Sequence, residues 1–290
     1  LLCPLSVMIA DYQFDRISHD IELLKDISKM SQSIQVPFIT STAPEFFGMK
    51  SFVRLTALPQ LKEKFSGPEY IKWNSFRKDE KSLWIVLTLN RFLLRFPYGQ
   101  ADNPVKGFRF EEEIDESRKY LYGNAVWAIG SILACEFAAS GWCFDICGQK
   151  TENVLNSLPT HEYKISPVQK TVIPLEILMP DQKQSEFALM GMSLLSCRPN
   201  STSAYIHSLP AIHSPEKYND PEATRESIVQ ATLPYQLFAG HLSHYLRKIE
   251  AEMPPNIHRE DMEKIIRDKI LAVISLPDVV APDESVVVQI

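Results

Sequence analysis

The side chains that could do chemistry begin with a set of thiols followed by one histidine. Cys143 and Cys147 lie four residues apart and close to Cys135, and His161 follows downstream. Thiolates and imidazoles bind zinc, but zinc sites usually carry two tighter pairs of the C-x-x-C kind, and the sequence has no second pair. The spacing therefore favours core thiols over a metal site.

Two histidines form the second group. His241 and His244 lie three residues apart on a predicted helix, so their side chains are neighbours in space and could bind one ligand together. The H-E-x-x-H motif is absent and no nearby carboxylate completes a ligand set. Packing or hydrogen bonding is the favoured role of this pair.

The third group is the acidic run Glu111, Glu112 and Glu113. Paired carboxylates can act as general acid and base, but adjacent residues of a strand point to opposite faces. The run therefore favours a solvated or subunit-facing acidic edge.

No motif for nucleotide or ester chemistry accompanies these groups. G-x-x-x-x-G-K-[ST], G-x-G-x-x-G and G-x-S-x-G are all absent, which removes the commonest nucleotide-binding and esterase classes. We predict no catalytic residue, no cofactor and no metal. The alternative is an enzyme whose unrecognised site includes His161, Cys143 or the histidine pair.

Composition places the chain among ordinary globular proteins. Of its 290 residues 45% are apolar and 23% are charged, enough for a sizeable core. The net charge of -6 argues against a nucleic-acid partner, which requires a basic face. Five cysteines without regular spacing indicate free thiols in a reducing compartment.

Targeting signals are not evident. No basic segment followed by an apolar one opens the chain, so we expect no secretory signal, and Leu1 favours a chain that begins inside a longer protein. The most apolar stretch, residues 125–139, is interrupted by Glu136 and is too short to cross a bilayer. It predicts a buried helix, and we expect no membrane insertion.

The elements that must position these residues begin with a β-α-β unit. Leu5–Tyr12 and Val36–Thr42 read as strands, and Ser18 opens the helix between them. Such units usually make parallel pairs. The continuous apolar run Leu83–Leu89 predicts a strand that is covered on both faces.

Later elements alternate between strands and helices. Glu116–Ser140 predicts a central helix, and Asp220 with Pro221 predicts a capped helix start. We predict a turn at Pro180–Lys183 and an amphipathic last helix over Arg259–Ile274. Further strand candidates are Trp142–Cys147, Leu175–Met179, Glu186–Cys197, Ala204–Leu209 and Glu284–Ile290. The predicted class is α+β (mixed α/β), with a mixed β-sheet, flanking helices and a helical C-terminal region.

Several stretches, in one order, resemble the large subunit of the type VI secretion contractile sheath. The longest are Ser66–Arg77 (SGPEYIKWNSFR) and Leu87–Gly99 (LTLNRFLLRFPYG). The second departs from the family at Asn90, where proline is usual. Shorter matches include Tyr120–Ala125 (YLYGNA), Leu158–His161 (LPTH), Asp220–Thr224 (DPEAT), Leu233–Tyr235 (LPY) and Arg259–Asp261 (RED).

The resemblance implies a contractile-tail-sheath-like fold in three regions. Residues 1–215 form the sheath core, residues 216–275 a helical region, and residues 276–290 the start of a strand-exchange arm, with Val286, Val287 and Val288 as exchanging residues. A helix near the C-terminus faces the inner tube, and by position the residues involved are Glu260, Asp261, Glu263, Lys264, Arg267 and Asp268. The family's docking helix is acidic, whereas here four acids are offset by four bases.

The resemblance also implies partners and a place in the cell. They are the small sheath subunit in a heterodimer, neighbouring protomers, the inner tube protein, the baseplate, and an AAA+ ATPase that recycles the contracted sheath mainly through the small subunit. The expected location is the bacterial cytoplasm, on a baseplate anchored in the envelope. A related baseplate or phage-tail component is an alternative with the same fold.

Overall fold

The computed structural model describes residues 5–99, 103–107, 110–114, 120–144, 146–149, 154–166, 168–254 and 258–274. Residues 5–240 form one compact unit, and the described residues after Gly240 belong to a second. The three-region division expected from the sequence stays a prediction.

Ten strands and eight α-helices lie within the described residues. The strands are β1 Met8–Phe14, β2 Phe38–Thr42, β3 Ile85–Leu89, β4 Arg91–Leu93, β5 Tyr122–Asn124, β6 Val154–Leu155, β7 His161–Lys164, β8 Lys170–Ile173, β9 Met192–Cys197 and β10 Ala204–Ile206. The helices are α1 Ser18–Ile34, α2 Leu61–Phe65, α3 Ile71–Phe76, α4 Ala125–Ser140, α5 Asp181–Leu189, α6 Pro221–Gln230, α7 Leu233–Glu252 and α8 Arg259–Ile274. Short 3-10 helices cover Pro44–Phe47, Phe52–Ala57, Pro68–Tyr70 and Glu80–Trp84. The mixed α and β content confirms the predicted class.

The main sheet has six strands in the order β1-β2-β3-β9-β10-β6. The first four run parallel to one another, and β10 runs antiparallel to both β9 and β6. The pairing of Met8 with Phe38 confirms the parallel β-α-β unit expected at the start of the chain. Two antiparallel pairs, β4 with β5 and β7 with β8, complete the described strands.

The two central strands separate two hydrophobic cores. Every residue of β3 and of β9 is buried. Leu87 and Leu194 pack into the core on one face, and Val86 and Leu195 pack into the core on the other face with α4. Successive side chains of a strand point to opposite faces, so a continuous apolar run fits this position. The strand predicted over Leu83–Leu89 is confirmed from Ile85 onward.

Aromatic rings fill the first core. Tyr70, Trp73 and Phe76 are fully buried, and the ring of Trp73 lies edge-on to Phe46 with 5.0 Å between centroids. The hallmark stretch Ser66–Arg77 is therefore a packing segment, and its aromatic side chains do not form a nucleic-acid surface.

Three predicted placements are wrong, and the first is wrong because pairing between distant segments overrides local pattern. The central helix begins at Ala125 and not at Glu116, because Tyr122–Asn124 pair antiparallel with Arg91–Leu93 as β5; residues 116–119 lie outside the described ones. The expected turn at Pro180–Lys183 is the first turn of α5, and the strand expected from Glu186 begins only at Met192.

Two strand candidates are also wrong. The described residues of Trp142–Cys147 form no strand, and Leu175–Met179 is a connecting segment with a single bridge between Leu175 and Phe92. By contrast, the strand candidate at Ala204 is confirmed over Ala204–Ile206. The Asp220 cap is confirmed as well, since its carboxylate accepts from Glu222 N at 2.9 Å, and the last helix has the predicted bounds.

Asn90 is a buried residue with a left-handed backbone conformation, directly after β3. Its φ is 75°, a left-handed value that few residues other than glycine adopt. The side chain donates to Ile177 O at 3.1 Å and to Leu195 O at 2.9 Å, and its oxygen accepts from Ile177 N at 3.3 Å. Proline holds φ near −65° and cannot adopt this conformation. Asparagine at position 90, where proline is usual in the family, therefore permits both this backbone conformation and the side-chain hydrogen bonds.

Replacing Asn90 by glycine removes the side-chain hydrogen bonds but keeps the backbone conformation, because glycine adopts a positive φ without strain. The variant therefore measures the contribution of the hydrogen bonds alone. We expect Asn90→Gly to lower the free energy of unfolding by roughly 2–3 kcal/mol, since it leaves buried backbone groups unpaired. Ser157→Gly is the matched control, because Ser157 has a φ of 59°, is exposed and makes no side-chain hydrogen bond to the other described residues; its cost should stay within about 1 kcal/mol. Urea titrations of both variants measure the difference, and equal costs would contradict the role assigned to Asn90.

Candidate assembly site

Arg91 lies in the second hallmark stretch, Leu87–Gly99. It ties β4 to the connecting segment before α5, which contains Glu176. Its guanidinium makes two bonds to Glu176, at 2.6 and 2.8 Å, and Glu176 is buried. The same guanidinium lies over the rings of Phe52 and Tyr122, at 5.7 and 5.5 Å from their centroids. Bidentate geometry and ring stacking are the contacts that arginine makes and lysine does not.

Arg95 makes a second, more exposed clamp with the acidic run. Its guanidinium bonds both oxygens of Glu112 at 2.8 Å, and Tyr98 N donates to the same carboxylate at 2.8 Å. The Arg95 hydrogen bonds, followed by the Tyr98 N–H, lower the pKa of Glu112 from its usual 4.5 to about 2. Glu111 and Glu113 are exposed, as expected for an acidic edge. Glu112 instead bonds Arg95 and Tyr98 N and so holds the segment after β4 in place.

His161 and Cys143, which the enzyme alternative would use, each bond to backbone. The His161 ring is buried, with Nε2 2.7 Å from Leu175 O and Nδ1 3.1 Å from Glu162 O. The Cys143 thiol donates to Leu133 O at 3.7 Å, and burial raises its pKa to about 11. A buried, protonated thiol is a poor nucleophile.

The histidine pair is part of α7. Burial lowers the pKa of His241, and the neighbouring His244 lowers it further. Within the part of the chain that the structure describes, no group of three or more histidine, cysteine or acidic side chains is placed to hold a metal ion.

The charged residues predicted to face the tube lie on α8. Glu260, Asp261, Lys264, Arg267 and Asp268 follow one another at helical spacing and all are exposed. Glu263 is half-buried and pairs instead with Arg259 at 3.1 Å. Lys269 pairs with Glu252 of α7, also at 3.1 Å. These pairs leave three acids and two bases on the exposed face.

The opposite side of α8 is apolar. Met262, Ile265 and Ile266 are half-buried and Ile270 is buried. The helix thus has one covered face and one charged face, as the sequence pattern indicates. The candidate exchange residues Val286, Val287 and Val288 lie outside the described residues.

Exposed apolar side chains on α4 are a surface that sequence reasoning missed. The uniformly apolar pattern predicts burial, yet Trp127 is 54% and Phe137 48% exposed, and Cys135 is exposed as well. Beyond the helix, the rings of Trp142 and Phe144 stack at 5.4 Å between centroids, and Phe144 is also more than half exposed. Large exposed apolar areas usually mark sites of protein association.

Comparison with known proteins decides the family. Residues 3–213 match the family model of the VipB (EvpB) tail sheath N-terminal domain. The chain belongs to the VipB tail sheath family. It is also 33% identical over 272 residues to the type VI secretion system sheath protein TssC1 of Pseudomonas aeruginosa. That alignment covers 92% of this chain and 55% of the relative, so the chain spans about half the length of the protein it matches.

Membership in the VipB family agrees with the resemblance that the hallmark stretches show. Both stretches lie inside the matched residues 3–213, and the structure assigns them to the aromatic core and to the two arginine clamps. Among the described helices, none is long and apolar enough to span a membrane.

The Arg95–Glu112 clamp makes stability depend on pH in a defined direction. Because the folded pKa of Glu112 lies below its usual value, its contribution is complete above pH 4.5 and is lost as the pH falls towards 2. We expect Glu112→Gln to unfold at lower urea concentration than the wild type at pH 7, and the gap to narrow below pH 4.5. Glu111→Gln, at an exposed position, is the control and should show no such gap. A gap for Glu112→Gln that stays constant from pH 7 to 3 would contradict the assignment.

Proposed function

We propose that this chain is part of the large subunit of a type VI secretion contractile sheath and acts as a structural protein. The observation that carries the proposal is the match to the VipB tail sheath family over most of the chain. In this role the subunit pairs with the small sheath subunit, and the pairs stack into a helical tube around the inner tube. Contraction of the tube propels the inner tube outward.

The chemistry of the described residues supports a structural role. The arginine clamps, the buried histidine and the buried thiols are all engaged in holding the fold. The exposed apolar side chains of α4 provide a surface that association would cover. A sheath needs no active site, because its work comes from the difference in contact energy between two lattices.

The proposed partners follow from this role. They are the small sheath subunit, neighbouring sheath protomers, the inner tube protein, the baseplate, and an AAA+ ATPase that disassembles the contracted sheath. The proposed place is the cytoplasm, on a baseplate at the envelope. We further propose that Glu284–Ile290, with Val286–Val288 at its centre, adds a strand to a neighbouring protomer. An extended apolar segment can do this through main-chain hydrogen bonds.

Contact of α8 with the inner tube is a separate part of the proposal. A face with three acids and two bases has little net charge, so long-range attraction to the tube is weak. Docking would therefore rest on individual ion pairs at short range, which set register more than they raise affinity.

Electron microscopy tests the sheath role directly. Co-expression of the full gene product with the small sheath subunit of the same organism should give tubes of regular helical symmetry. Tubes should be absent when either protein is expressed alone. Only soluble heterodimers in the co-expressed sample, at protein levels matching those of a sheath-forming control pair, would contradict the proposal.

Charge reversal on α8 tests tube docking. Glu260→Lys with Asp261→Lys, and separately Lys264→Glu with Arg267→Glu, should each reduce the inner tube protein recovered with sedimented sheaths several-fold. Each reversal places like charges opposite one another at short range. Lys248→Glu, at an exposed position of α7, is the control and should leave recovery unchanged. Normal tube recovery in both double variants would remove α8 from the docking surface.

A further inference from the structure

A cavity of about 480 Å³ lies beside the start of α5 and the end of β9. Its apolar wall includes Ile165, Leu178 and Met179, and its polar wall includes Arg198 and Tyr205. The volume falls within the range of pockets that hold ligands larger than a single ion.

Tyr205 is the first sign that the cavity takes a ligand. The residue is only 6% exposed and lines the cavity, yet its hydroxyl bonds to none of the residues that the structure describes. A tyrosine hydroxyl can donate one hydrogen bond and accept others. This hydroxyl is a donor available to a molecule in the cavity.

The start of α5 supplies a further donor at the same wall. Pro180 occupies the N-cap and has no side chain that could cap the helix, and the first helical bond runs from Gln184 N to Pro180 O at 3.0 Å. The N–H group of Asp181, the helical residue that lines the cavity, therefore lacks an acceptor among the described residues. The amino end of a helix carries partial positive charge and favours an anion.

Arg198 adds a full positive charge. Its guanidinium bonds the side-chain oxygen of Gln149, and none of the described carboxylates pairs with it. Among the described residues of the lining, Asp181 is the one acid, and its carboxylate accepts from Gln184 Nε2 at 3.2 Å. The positive groups thus face a single carboxylate that is already hydrogen-bonded.

We infer that this cavity binds the carboxylate of an acidic side chain carried on a short extended peptide with an apolar neighbour. The available donors of Tyr205, Arg198 and α5 favour binding of an anion. The apolar wall favours an aliphatic side chain next to that anion. A lone small anion would leave that wall in contact with water. The binding does not require the sheath role.

Titration with two matched peptides tests the site. Calorimetry or NMR shift mapping on the full chain should show acetyl-Leu-Asp-Leu-amide binding about tenfold or more tightly than acetyl-Leu-Asn-Leu-amide, as expected for a charge-assisted hydrogen bond. Arg198→Gln and Tyr205→Phe should each weaken the aspartyl peptide about fivefold or more. Asp181→Asn should strengthen it, because a like charge is removed. Arg225→Gln, at an exposed position of α6, should change nothing.

Three results would overturn the inference. They are equal binding of the two peptides, binding that neither Tyr205→Phe nor Arg198→Gln weakens, and inorganic phosphate or acetate binding as tightly as the aspartyl peptide. The last would mean that the apolar wall contributes nothing. Tyr205→Phe removes only a hydroxyl that bonds to none of the described residues, so it should fold even where Arg198→Gln does not.

Discussion

The fold depends on how the chain leaves β3, a strand whose every residue is buried. Buried backbone groups need partners, and the chain must change direction at once after Leu89. Asn90 meets both demands, since its left-handed backbone turns the chain and its amide bonds the backbone of residues 177 and 195. Arg91 then bonds Glu176 of the segment that Asn90 already holds. One junction therefore fixes β4, the connecting segment before α5, and β9 relative to one another.

This junction explains why the hallmark stretch from residue 87 to 99 is so dense in specific side chains. Its apolar residues fill the sheet, and its polar residues tie down distant parts of the chain. Arg95 continues the pattern by holding Glu112, which anchors the loop after β4. Such ties resist local opening of the chain without enlarging the core.

Local signals in the sequence were enough for some elements and not for others. The β-α-β opening, the Asp220 cap and the bounds of α8 follow from apolar spacing and capping residues close together in the chain. The start of α4 does not, because residues 122–124 become a strand only by pairing with residues 91–93. The cavity near Tyr205 was beyond prediction for the same reason, since its walls come from segments far apart in sequence. An amide at position 90 likewise gives no local sign that it bonds two distant carbonyl groups.

The exposed apolar half of α4 shows where sequence pattern reaches a physical limit. Burial in the chain's own core and burial against a partner are both driven by the transfer of apolar surface out of water. The apolar pattern alone therefore cannot distinguish core residues from residues that contact a partner. The N-terminal turns of α4 pack against the sheet through Ala128, Ile129 and Ile132, whereas Cys135 and Phe137 are exposed. An assembly subunit can present such a surface because the partner, and not the chain itself, completes its burial. On α8, by contrast, the exposed face carries charges of both signs, which water solvates without a partner.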